Sequence, residues 1–374
     1  MAGSNDFSRL ELSLPAVQHN LRHFRGALRP STKLLVLVKA NAYGHGAVEF
    51  ASMLQQSGVD YLAVALPVEG IELRQAGISL PVIVLTAGTD FFPEMIESHL
   101  EPGIPNLYTL KALCKELESR GIRDFPIHIK LDTGMHRLGF MTSELKELQD
   151  FLKDCPQVRV KSIYSHLAVA DAPDPEDDRC TLAQLEMFRA NAQSLDDTLG
   201  YHPIWHVLNT AGIERFSQWQ FDMCRLGIGV YGIDPVTGER SSLKPVASLK
   251  VKVLQIKELK PEDGAIGYGR HGAVAPAGTR IATIPVGYAD GIDRHLGQGK
   301  ASFSVNGSRV RTIGNICMDM CMLDVTGLDV KVGDTVTIFG NDPSVCELAR
   351  ILDTIPYEIL ASIPRRIERV IVRR

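Results

Sequence analysis

An α/β fold, a (β/α)8 TIM-like barrel followed by a mostly β C-terminal domain, is what the sequence predicts, on three observations. Eight apolar runs fall between residues 34 and 230, and most are followed by a segment of helical period. Strands alternating with helices build a parallel sheet, and eight favour closure into a barrel over the alternative, an open doubly wound sheet. The turn-rich Ile233-Asp234-Pro235-Val236-Thr237-Gly238 then breaks the rhythm. Beyond it the runs are short, β-branched and punctuated by glycine.

Residues 8–14 alternate apolar and polar through Leu10, Leu12 and Leu14, which predicts a half-buried strand, and a helix follows from Pro15 to about Leu28. Leu34-Leu35-Val36-Leu37-Val38 reads as a strand buried on both faces, ending in Lys39, a turn through Tyr43-Gly44-His45-Gly46, and a helix over 47–57. Further strands are expected at 61–66, 81–86, 104–108, 126–131, 158–166, 204–208 and 221–230, with helices at 68–76, 90–98, 109–120, 142–153 and 179–198. Asp171-Ala172-Pro173-Asp174-Pro175-Glu176-Asp177-Asp178 is acidic; two prolines and no EF-hand spacing make it a solvated loop rather than a calcium site. The second domain should hold strands at 246–256, 280–285, 301–304, 309–313, 321–325 and 335–339, with helices at Val345–Ile351 and Glu358–Ile363. The expected domains are therefore 1–237 and 243–374, with the strand at 8–14 packing on the second.

A chain of 374 residues can bury two cores. A net charge of -4 without a basic block argues against a nucleic-acid or anionic-membrane surface. The seven cysteines are scattered, with no C-x-x-C, as in a reducing compartment rather than in a disulfide framework or zinc site. Met1 to Arg9 has no apolar core of a signal peptide, and no run approaches a membrane span, so a cytoplasmic protein is expected.

A barrel keeps its chemistry where strands end. Lys39 and Tyr43 follow the first strand; Lys130, Asp132, His136 and Arg137 follow the fifth; His166 ends the sixth, Asn209 and Thr210 the seventh, and Arg225, Gly227 and Ile228 the eighth. Singly each has a bland reading, such as a lysine that extends past its strand into water. Their gathering on one rim is what those readings leave unexplained. A desolvated lysine favours the neutral amine that attacks carbonyls. Thr210-Ala211-Gly212 and Arg225-Leu226-Gly227-Ile228-Gly229 suit the phosphate site that barrels place after strands seven and eight. Gly227, Gly229 and Gly232 also fit G-x-G-x-x-G, but Ile-Asp-Pro follows instead of a helix, which argues against a nicotinamide cofactor. A carbonyl-reactive lysine facing a phosphate pocket points to pyridoxal 5′-phosphate (PLP).

With these motifs in view, the chain resembles the alanine racemase family, PLP enzymes of fold-type III, along nearly its whole length. The resemblance rests on Val38-Lys39-Ala40-Asn41-Ala42-Tyr43-Gly44-His45-Gly46, on Asp132-Thr133-Gly134-Met135-His136-Arg137-Leu138-Gly139, and on Gly267-Tyr268-Gly269-Arg270. It also rests on Gly287-Tyr288-Ala289-Asp290-Gly291, Gly314-Asn315-Ile316-Cys317-Met318-Asp319 and Ile355-Pro356-Tyr357-Glu358. Leu226 and Thr210 depart from commoner choices, proline or phenylalanine and serine, which leaves the fine fit of the pocket open.

The resemblance implies a PLP-dependent interconversion of L- and D-alanine by two bases, supplying D-alanine for peptidoglycan. Lys39 would carry the cofactor and serve the D face, and Tyr268 of a partner subunit the L face. Arg225 is implied to face the pyridine nitrogen and to bond His166, which neighbours that tyrosine. Tyr43, His166, Asn209, Thr210, Gly227, Ile228 and Tyr357 are implied cofactor contacts; Arg137 and the N–H of Met318, also from the partner, would bind the substrate carboxylate. Lys130 matches a position often carbamylated, and Asp171, Tyr288, Arg294 and Ile355 match the entry corridor. A homodimer with shared sites follows, with no metal, nucleic acid or membrane partner. The rival readings are a non-catalytic PLP carrier, which the β domain and Tyr268 disfavour, and another fold-type III enzyme such as a decarboxylase.

Overall fold

The buried apolar runs become the staves of a barrel. The computed structural model describes residues 7–238 and 242–373; Met1 to Asp6, read above for a targeting signal, and Arg374 lie outside them. Strand β1 (Ser8–Ser13) precedes eight parallel strands: β2 (Lys33–Leu37), β3 (Tyr61–Val64), β4 (Val82–Val84), β5 (Glu101–Ile104), β6 (Phe125–Lys130), β7 (Val158–Tyr164), β8 (Ile204–His206) and β9 (Met223–Leu226). They pair in the order β8-β7-β6-β5-β4-β3-β2-β9. The remaining seam is bridged by Asp222 N–H to Trp205 O at 3.2 Å and Arg225 N–H to Leu208 O at 2.9 Å. Leu34, Leu35, Val36 and Val38 are fully buried, as a strand with a packed interior on one side and helices on the other requires.

The second sheet contains β10 (Ala247–Lys252), β11 (Gln255–Leu259), β12 (Thr279–Ile284), β13 (Ser302–Val305), β14 (Ser308–Ile313), β15 (Cys321–Asp324), β16 (Thr335–Phe339) and β17 (Glu368–Val372). β1 lies among them, antiparallel to β10 and parallel to β17. The second domain also grips the turn after β2 and the helix Pro67–Gln75 that follows β3. Arg369 donates to Gly44 O at 2.7 Å, and Arg365 pairs with Glu72 at 2.6 Å. Gly44 has φ 78°, and a Cβ there would stand 1.8 Å from Leu360 O, so only glycine lets helix Pro356–Ala361 come this close.

Several elements differ from expectation. The fourth of the expected barrel strands is Glu101–Ile104, not 104–108. Asn106 accepts from Thr109 N–H and starts helix Leu107–Ser119, which removes the end of that run from the strand. The acidic stretch is not all loop: Asp174 accepts from Glu176 N–H, and Pro175 opens helix Pro175–Leu199. Its acidic first turn suits the positive end of a helix dipole. The run at 221–230 is strand only over β9 before the chain turns at Gly227. The run at 246–256 divides into β10 and β11, and β17 and helix Thr210–Arg215 are additional. Among the described residues no helix is long and apolar enough to cross a membrane.

Candidate active site

The turn after β2 is unusual. Ala40, Asn41, Ala42 and Tyr43 have φ of 52, 54, 52 and 51°, a left-handed run of non-glycine residues that costs about 1–2 kcal/mol each. Hydrogen bonds hold it: Gly46 N–H to Asn41 O at 3.0 Å, Ala47 N–H to Asn41 Oδ1 at 2.9 Å and Ala40 N–H to Glu69 Oε1 at 2.5 Å. Strain retained in this way marks a functional position. It fixes Lys39 at the barrel mouth, half-buried. Burial, and then the charge of Arg137, lower the lysine pKa against the opposing pull of Glu69, which favours the reactive amine.

Lys39 opens onto a cavity of about 510 Å³, a size proper to small-molecule sites. Its walls include Tyr43, Lys130, Arg137, His166, Asp171, Asn209, Thr210, Arg225, Gly227, Ile228 and Tyr357. Around Gly227 hydroxyls converge: a Cβ there would lie 3.3 Å from Tyr43 Oη and 3.7 Å from Thr210 Oγ1. Thr210 Oγ1 accepts from Gly227 N–H at 3.0 Å, so its own O–H is left to donate. The Tyr357 ring lies 5.9 Å from that of Tyr43. Burial raises both phenols, Tyr357 to about 12, so they remain proton donors. This donor set fits a phosphate group.

At the cavity floor Arg225 is buried. Nη2 donates to Ser165 O at 2.5 Å, Val207 O at 2.9 Å and His166 Nδ1 at 3.3 Å; Nη1 donates to His206 O at 2.9 Å and Nδ1 at 3.1 Å. Its Nε–H has no acceptor among the described residues, which fits a ring nitrogen that accepts. Arginine only donates, so His166 Nδ1 must be an acceptor. Burial and then Arg225 hold the His166 pKa well below its ordinary value. The imidazole is thus neutral and carries its proton on Nε2.

The same logic runs away from the cavity. His206 Nε2 meets Ser162 Oγ at 2.8 Å, Ser162 Oγ meets His128 Nδ1 at 2.6 Å, and His128 Nε2 meets Glu101 Oε2 at 2.9 Å. Since Arg225 donates to His206 Nδ1, every bond in this chain points toward the carboxylate, which also pairs with Lys161 at 2.6 Å. A buried cation is thereby linked to a buried anion through oriented donors. Sequence reasoning missed His206, Ser162, His128 and Glu101. Polar residues inside strands, at His128 two positions before Lys130, were the available signal.

Lys130 ends β6 with its ammonium 5.8 Å from the Tyr164 ring centroid. Burial, then Arg137 and Arg225, bring its pKa to about 8. Tyr268, Met318, Tyr288, Arg294 and Ile355 do not line the cavity. Tyr268 is 73% exposed and Met318 53%. Their loops form one surface: Asn315 Nδ2 donates to Tyr268 O at 2.8 Å, and Tyr288 N–H to Cys317 O at 3.0 Å. Gly287 permits this, because a Cβ would lie 2.1 Å from Cys317 O.

Two family models match, "Alanine racemase, N-terminal domain" over residues 12–235 and "Alanine racemase, C-terminal domain" over residues 246–371. The alanine racemase of Synechocystis sp. is 36% identical over 97% of this chain and 98% of its own length. Among solved structures, alanine racemase of Clostridium difficile 630 superposes with a TM-score of 0.90 at 33% identity, covering 98% of this chain and 96% of that one. Alanine racemase of Bartonella henselae with covalently bound pyridoxal phosphate gives 0.85 at 28% identity, covering 98% and 99%. The chain belongs to the alanine racemase family.

Proposed function

We propose that the protein interconverts L- and D-alanine with PLP, in sites each shared by two copies of the chain, and so supplies D-alanine for peptidoglycan in the cytoplasm. The observation that carries this reading is a single cavity lined both by an amine of lowered pKa and by a cradle of protonated hydroxyls. Lys39 would hold the cofactor's carbonyl carbon, Tyr43, Thr210, Gly227, Ile228 and Tyr357 its phosphate, and Arg225 Nε–H its ring nitrogen, with Asn209 and His166 alongside. Bound there, PLP supplies an electron-accepting ring that acidifies the substrate α-C–H.

Racemisation removes a proton from one face and returns one to the other, so two groups must stand on opposite sides of the α-carbon. Lys39 Nζ serves the D face. The partner subunit's Tyr268 serves the L face, and the exposure of Tyr268 in a single chain accords with a role on a neighbour's site. Neutral His166 offers an Nε2–H to the phenolic oxygen once it has given up its proton. Arg225 can only donate, so it would keep a ring nitrogen held there unprotonated and so limit the side reactions a stronger electron sink allows. Arg137 and the N–H of the partner subunit's Met318 hold the substrate carboxylate. Asp171, with Tyr288, Arg294 and Ile355 of the partner, lines the way in.

The test is chiral product analysis in deuterium oxide. Wild type should exchange the α-hydrogen of both enantiomers. Tyr268→Phe should exchange that of D-alanine while losing exchange of L-alanine. Equal exchange of both by the variant would overturn the two-base assignment.

A further inference from the structure

We propose that Cys114 and Cys155 are a site of reversible oxidation, closing to an intrachain disulfide on the side of the barrel away from its mouth. Cys114 lies in helix Leu107–Ser119, after β5; Cys155 lies in the turn that follows helix Leu145–Lys153 and leads into the N-terminal end of β7. Active-site groups sit at the opposite strand ends, so the pair is separate from the catalytic cavity.

The geometry is nearly that of the product. The two sulfurs face each other at 2.7 Å, and a disulfide bond is about 2.05 Å, so a closure of under about 1 Å joins them. Both residues are buried, yet both line a surface cleft of about 450 Å³ together with Lys111, Lys115, Phe151 and Gln157. A small oxidant can therefore reach sulfurs that a protein partner cannot. The two thiols are also unequal. The contact with Cys114, with backbone N–H groups of Gln157 and Val158, draws the Cys155 thiol toward ionisation, while the same contact pushes Cys114 up. Cys155 is the nucleophile and Cys114 the proton holder.

With hydrogen peroxide as oxidant the step balances. Cys155 sulfur attacks one peroxide oxygen, the O–O bond breaks, and a sulfenic acid forms as the first water leaves. Cys114 sulfur then attacks Cys155 sulfur, the S–O bond breaks, and the departing hydroxide takes the Cys114 proton as the second water. The sulfurs lose two electrons and the peroxide gains them. A dithiol reverses the reaction by exchange. The link spans 41 positions and encircles β6, so it restricts the unfolded chain and raises thermal stability.

The test uses the full-length protein with hydrogen peroxide, followed by alkylation and non-reducing tryptic mass spectrometry. The expected result is the peptide with Cys114 joined to that with Cys155, lighter by two hydrogens than the two reduced peptides and released by dithiothreitol. The oxidised protein should melt a few degrees above the reduced one, and the difference should vanish in both Cys114→Ser and Cys155→Ser. Separate alkylation of the two thiols after peroxide, oxidation of Cys155 to sulfinic acid without a cross-link, or an unchanged melting temperature of the linked form would overturn the proposal.

Discussion

Lys130 shows how much a single environment can decide. Only the neutral amine adds carbon dioxide, and burial with two arginines nearby brings its pKa to about 8. The neutral fraction therefore grows as pH rises through about 8, where an exposed lysine would remain charged until about 10.4. With ¹³C-bicarbonate, NMR should show a carbamate signal that strengthens from pH 7 to pH 8 and is lost in Lys130→Arg; an equal signal in the variant would contradict it. Such an anion would also relieve the repulsion from Arg137. Lys39, Lys130 and Arg225 were legible because each stands where a barrel strand ends. His206, Ser162 and His128 were not, since a polar residue within a strand reads as interrupted periodicity until the strands on either side are known. Removing the central link makes their dependence measurable. Ser162→Ala leaves a histidine donor and a histidine acceptor unpaired in the interior, a loss of about 1–3 kcal/mol that a urea midpoint would register. An unchanged midpoint would mean that water takes the place of the hydroxyl.

Among the elements, the left-handed turn from Ala40 to Tyr43 and helix Pro356–Ala361 act together. The first carries Lys39 and the second carries Tyr357, and they meet at Gly44. Gly44→Ala would put a methyl 1.8 Å from Leu360 O at a φ of 78°. It should therefore part the two elements and lower PLP retention on gel filtration along with thermal stability; retention at the wild-type level would show that the helix moves freely. Nothing in Ala-Asn-Ala-Tyr announces four left-handed residues, because the backbone there is held by Glu69 and Asn41 rather than by its own propensity. Boundaries went astray for similar reasons. Glu101-Pro102-Gly103 lies outside the strand expected at 104–108, yet it is a strand, because His128 and Lys161 pair the buried carboxylate and a Cβ at Gly103 would crowd the Tyr164 hydroxyl at 2.5 Å. At Asp174-Pro175 a cap followed by a first-turn proline was present but outweighed by charge. Asp174→Ala should cost about 0.5–2 kcal/mol by calorimetry.

At the scale of the whole molecule, the proposed function has one chain build most of a site and leave the rest on its surface. Its own second domain contributes Tyr357 to the cavity, while Tyr288 and Met318 stand exposed on loops that Arg366 ties together through Asp290 at 2.7 Å and Asp319 at 2.9 Å, and exposed Tyr268 is held to the second of them by Asn315. Large exposed side chains on fixed loops suit an interface between copies. The barrel and β domain were legible from rhythm and glycine spacing, but the role proposed for Tyr268 comes only from family resemblance, since no spacing within a chain would encode a residue that acts in another. Mixing two inactive variants, Lys39→Ala and Tyr268→Phe, under conditions that exchange subunits tests this most directly. In a mixed dimer one site would regain both bases and the other neither, so an equal mixture should recover about a quarter of wild-type L-to-D alanine racemisation. No recovery, with subunit exchange verified by native mass spectrometry, would contradict a site shared between chains.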